Sequence, residues 1–134
     1  MKKVILGILF SLFFFTQLSA ETISYRTTGF ALKETNRYGQ WLRWSEWKES
    51  DMIITINFTT DVVTIYSPSK QVYRITQYVR AYTDKDGGQQ VEYRFVDQDG
   101  DYGTLRLRIE RSGNSQIYIE FSNIMWVYNV VKIE

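Results

Sequence analysis

The sequence predicts an all-β protein: a small antiparallel up-and-down β-barrel of about eight strands, lipocalin-like in outline, with a two-layer β-sandwich as the alternative. Three observations carry this. Apolar and polar residues alternate with period two over most of the chain after Glu21, the breaks fall on clusters of turn formers, and no segment shows the period of an amphipathic helix. Short strands joined by tight turns, without a long crossover, describe a meander. Closing that meander removes the edges that a tyrosine-rich sheet otherwise exposes.

In chain order, strands are expected at residues 22–32, 40–48, 52–58, 62–67, 71–82, 90–96, 104–111, 116–121 and 125–133. The alternation is clearest in three of them. Val91, Tyr93 and Phe95 oppose Glu92 and Arg94; Leu105, Leu107 and Ile109 oppose Arg106, Arg108 and Glu110; Ile117, Ile119 and Phe121 oppose Tyr118 and Glu120. Each is half-buried, as in an antiparallel sheet with one wet face. Ser67-Pro68-Ser69-Lys70, Asp84-Lys85-Asp86-Gly87-Gly88, Asp97-Gln98-Asp99-Gly100-Asp101 and Ser112-Gly113-Asn114-Ser115 supply the reversals. Residues 33–39 read as a longer ordered loop.

Residues 1–20 have the parts of a secretory signal: Lys2 and Lys3, an apolar run from Val4 to Phe15, and Ser19-Ala20 before Glu21. The run is too short to span a bilayer as a helix. It is therefore expected to be removed, leaving one domain over residues 21–134, in the periplasm or outside the cell, with no membrane anchor. Taking Lys2 and Lys3 from 16 basic residues leaves 14 against 15 acidic, a nearly neutral chain. Nucleic acid is accordingly not expected as a partner.

The chain contains no histidine and no cysteine. That removes Ser-His-Asp and Cys-His nucleophiles, a histidine base and ordinary zinc sites. No catalytic residue, metal or cofactor is expected, and recognition is favoured over catalysis. A paired-carboxylate hydrolase needs no histidine, but its candidates Glu92, Glu110 and Glu120 sit on what reads as the solvated face. The acidic turns at 84–88 and 97–101 resemble calcium loops only in part. The twelfth positions carry Phe95 and Arg108 instead of a bidentate glutamate, so both read as structural turns.

The run Trp41, Trp44, Trp47, the segments Ile65-Tyr66-Ser67 and Gln71-Val72-Tyr73-Arg74-Ile75, and Met125-Trp126-Val127-Tyr128 resemble small secreted proteins of gut Bacteroidetes. The resemblance implies a lipocalin-like barrel and an extracytoplasmic address, and no catalytic residue. The tryptophan spacing also occurs in thrombospondin type 1 repeats, but those modules need the cysteines that this chain lacks.

Two sets of binding residues are expected. The first is Trp41, Trp44, Trp47 and Trp126, whose indoles suit a small apolar or carbohydrate ligand. A spacing of three on a strand puts Trp41 and Trp47 on one face and Trp44 on the other. The second is Tyr78, Arg80, Arg94, Arg106 and Arg108, which share a wet face if their strands are neighbours. A protein partner or an acidic glycan is the ligand that face suits.

Overall fold

The period-two segments form β1 (Thr22–Glu34), β2 (Lys48–Glu49), β3 (Ile53–Asn57), β4 (Val62–Ile65), β5 (Gln71–Thr83), β6 (Gln89–Asp97), β7 (Tyr102–Ile109), β8 (Ser115–Glu120) and β9 (Ile124–Ile133). The computed structural model describes residues 22–112 and 114–133. The expected signal segment lies outside these residues.

All pairings are antiparallel, in the order β2-β1-β3-β4-β5-β6-β7-β8-β9, and β1 pairs in addition with β9. That last pairing runs from Ser24 opposite Ile133 to Glu34 opposite Ile124 and closes eight strands into a barrel, with β2 as an extra strand. The closed barrel decides against the sandwich.

Alternation sends one residue set inward. Ile54, Ile56, Val63, Ile65, Phe95, Leu105, Ile117 and Ile119 are fully buried and form one cluster with Tyr25, Tyr73, Tyr128 and Val130. The Phe95 ring meets Tyr73 at 4.8 Å and Phe121 at 5.4 Å between centroids. Its space is made by Gly103 opposite. A Cβ there would lie 2.5 Å from Phe95 Cζ and 2.6 Å from the Glu120 carbonyl oxygen.

Three hairpin turns are one motif. Asn36, Asp84 and Asp97 each accept, at Oδ1, the backbone N–H groups two and four residues on. Gly39, Gly87 and Gly100 follow three residues later with φ of 79°, 86° and 87°, a conformation open to glycine at little cost. Residues 33–39 are therefore not a longer loop: Lys33 and Glu34 belong to β1, and Asn36–Gly39 turns tightly. The two acidic turns sit at opposite ends of β6, where their carboxylates cannot meet.

The expected strand at 40–48 is the main correction. Only Lys48–Glu49 pairs as a strand, and Trp41 makes an isolated bridge to Thr35. A second correction concerns β5, which carries bulges between Ile75 and Gln77 and between Tyr78 and Arg80. The first bulge flips the alternation and the second restores it. Arg80 opposes Glu92 on the outside, while Tyr78 opposes Tyr93 and lies against its ring, off the arginine face though still exposed.

Two predictions follow from this core. Gly103→Ala should lower unfolding free energy by about 1–3 kcal/mol through overpacking, read from the midpoint of chemical denaturation. Burial raises the hydroxyl pKa of Tyr25, Tyr73 and Tyr93 above the ordinary 10.0 and pushes Tyr128 up to about 12. Because the folded values are raised, their stabilising contribution is complete below pH 10 and disappears as pH climbs through 12. The latest, most alkaline phase of tyrosinate absorbance should therefore coincide with the loss of the circular dichroism signal.

Candidate functional site

After the Asn36 turn the chain runs back along the free edge of β1. The Leu42 N–H donates to the Glu34 carbonyl at 2.9 Å and that of Ser45 to the Leu32 carbonyl at 2.7 Å, while the Leu32 N–H donates to Ser45 Oγ at 2.9 Å. A side chain standing in for a backbone partner breaks the regular ladder, so the period-two rule no longer assigns faces. All three indoles fold over the outside of the barrel. Trp47 lies against Gly29 and Asn129, where a Cβ on Gly29 would come 3.4 Å from Trp47 Cε3. Trp44 meets the Tyr118 ring edge-on at 6.3 Å, and Lys33 Nζ stands 4.8 Å from the Trp44 ring and 5.4 Å from that of Trp41. The expected division into one inward and one outward face is overturned: Trp41, Trp44 and Trp47 are 40%, 40% and 51% exposed. Trp126 stays apart, packed inside against Phe121 at 5.8 Å.

Register sets the arginines beside this ladder. Arg80, Glu92, Arg106, Tyr118, Val127 and Ala31 form one outward row across six adjacent strands, and Arg94, Thr104, Glu120, Met125 and Lys33 form the next. Arg106 stacks on Tyr118, its guanidinium carbon 3.9 Å from the ring centre, and donates to Glu120 at 2.8 Å and Gln90 at 2.7 Å. Arg108 donates to Asp84 at 2.9 Å and Glu110 at 2.7 Å, and Arg80 donates to Glu92 at 2.6 Å. The three guanidiniums are thus engaged within the sheet, and so are Glu92, Glu110 and Glu120. The exposed Arg80 pair is screened by solvent and contributes little.

Arg94 differs. Among the described residues its side chain has no ion-pair or hydrogen-bond partner. It lines a groove of about 520 Å³ with Trp41, Tyr102, Thr104, Glu120 and Met125, reaching Gly103, Phe121 and Ser122 at the barrel rim. Tyr102, 74% exposed, stands on the β7 side of the groove and Trp41 on the β1 side. The groove offers aromatic walls and a polar floor, the chemistry of recognition.

Of the expected residues, the fold brings Trp41 and Arg94 into one groove, keeps Trp44 and Trp47 next to it on the same outer surface, and puts Trp126 and Tyr78 elsewhere. Lys33, Tyr102, Thr104 and Met125 were not singled out by sequence reasoning. Period-two parity across β7 and β8 places Thr104 and Glu120 on the wet face, but only the strand register aligns them with Arg94. Asp84 has both carboxylate oxygens engaged: Oδ1 by backbone N–H groups of its own turn, Oδ2 by Arg108 and Gln90. These donors account for its role as a structural anchor.

The Arg108 guanidinium, followed by the Gln90 amide and the Gly88 N–H, holds the Asp84 carboxyl well below the usual carboxylate range. A depressed folded value means stability that is present above the ordinary 3.8 and is lost as pH falls below it. Asp84→Asn should lower the melting temperature at neutral pH and flatten its acid decline, measured by circular dichroism across acidic buffers. No protein-family model, curated protein or solved structure matches this chain.

Proposed function

We propose that this protein is an exported, non-catalytic binding module that recognises a carbohydrate on the outer face of its barrel. The observation that carries the reading is the exposure of Trp41, Trp44 and Trp47 on one surface, beside the groove that Trp41 shares with Arg94, Thr104 and Glu120. Exposed indoles held in place suit the apolar faces of sugar rings, and a polar floor suits their hydroxyls. Lys33 against two of the rings helps to hold them. An apolar ligand inside the barrel has less support, because Phe95, Tyr73, Phe121 and the aliphatic layers occupy the interior. A protein partner for the arginine face also has less support, since Arg80, Arg106 and Arg108 are taken up by carboxylates of the same sheet. The export address rests on the pattern of residues 1–20, and the non-catalytic reading on the missing histidine and cysteine.

The test is titration of tryptophan fluorescence and affinity electrophoresis against a panel of neutral and acidic polysaccharides. At least one should bind, and Trp41→Ala should weaken it by about tenfold or more. Tyr66→Ala, an exposed aromatic on the β4–β5 turn, should leave affinity unchanged. No binding to any polysaccharide, or equal binding by the Trp41 variant, overturns the proposal.

A further inference from the structure

The geometry points to an acidic oligosaccharide, with Arg94 taking a carboxylate of one sugar while another ring stacks on Trp41. This inference rests on the carbohydrate reading and narrows it to a charge class.

Charge comes first. Three arginines of this outer face already donate to carboxylates: Arg80 to Glu92, Arg106 to Glu120, Arg108 to Asp84 and Glu110. Arg74 on β5 is exposed without an ion pair among the described residues, but it lies outside the groove that Arg94 lines. Arg94 sits in the same sheet, on the same face, with no carboxylate partner among the described residues. Its cross-strand neighbours are Thr104 and Gln77, both neutral. The acid that lines the groove, Glu120, is held by Arg106 Nη2 at 2.8 Å, so its charge is countered from within the protein. Lys33, against Trp41 on the β1 side, likewise has no carboxylate partner among the described residues. The groove and its border therefore hold one compensated ion pair and two uncompensated cations. Asp97 and Asp101 belong to a separate concavity at the barrel end, which shares Tyr102, Phe121 and Ser122 with the groove but neither Trp41 nor Arg94. A guanidinium offers a planar fork that matches a carboxylate, and such a charge-assisted pair is stronger than a neutral hydrogen bond.

Size follows from register. Met125 on β9, Glu120 on β8, Thr104 on β7 and Arg94 on β6 stand opposite one another in sequence. Three strand spacings separate the first from the last, about 14 Å at ~4.8 Å each. Trp41 lies beyond Met125, on the β1 side. A chain of sugars laid across the strands matches that span.

Calorimetric titration with an oligogalacturonate and with its fully methyl-esterified form tests this directly, since the two differ in charge and share their rings. The wild type should bind the acid form about tenfold more tightly, and only that preference should shrink as salt is raised. Arg94→Gln should weaken the acid form far more than the ester and so remove the preference, while Trp41→Ala weakens both forms alike. Equal affinity for acid and ester, an Arg94 variant that keeps the preference, or binding of only neutral glucans overturns the inference and leaves the carbohydrate reading intact. Oligoglutamate binding as tightly as oligogalacturonate overturns the inference, because charge alone would then be recognised. No binding to any glycan overturns both.

Discussion

The pairing of β1 with β9 closes the sheet on itself, and both the core and the outer surface follow from it. Ten residue pairs join the first strand to the last, so the chain is closed by contacts between residues about as far apart in sequence as the domain allows. Without that seam the meander would leave two long edges open to other chains. With it, the inward residues of eight strands enclose one another, and Phe95 fills the hollow that Gly103 leaves opposite it. Such a core holds without a disulfide because its layers interlock, as the full burial of Ile54, Ile65, Leu105 and Ile119 indicates.

The same seam creates the outer surface. β1 serves β9 on one edge and, on the other, first β3 and then the irregular run that holds the tryptophans. Closure thus carries Trp41, Trp44 and Trp47 to the outside of β9 and β8. Trp44 reaches Tyr118, Tyr118 carries Arg106, and Arg106 holds both Glu120 and Gln90. Aromatic and charged groups form one connected layer there. Arg106 and Glu120 satisfy each other within it, whereas Arg94 in the groove and Lys33 at its border have no carboxylate partner among the described residues.

Much of the architecture was legible in the residue pattern. β6, β7 and β8 follow their alternation, and the Asp84 and Asp97 turns follow their Asx-glycine chemistry. The Asn36-Arg37-Tyr38-Gly39 turn carries the same signal, an Asx residue with glycine three positions later, and could have been recognised by comparison with the other two. Two features were not legible. The bulges at Thr76 and Val79 invert and restore the facing of β5, which removes Tyr78 from the arginine face without any mark in composition. The tryptophan run bonds to β1 partly through Ser45 Oγ, so its side chains escape the parity that a strand imposes.

The all-β class, the turn chemistry, the absence of histidine and cysteine chemistry, and the inward face of most strands are all readable in the residue order. These properties are set over a few neighbouring residues, where side-chain period and backbone preference act directly. Closure of the barrel, the placing of three tryptophans outside and one inside, and the shared groove of Trp41 and Arg94 emerge only in the folded chain. Those outcomes depend on register between strands distant in the chain, where a shift of one residue exchanges inside for outside.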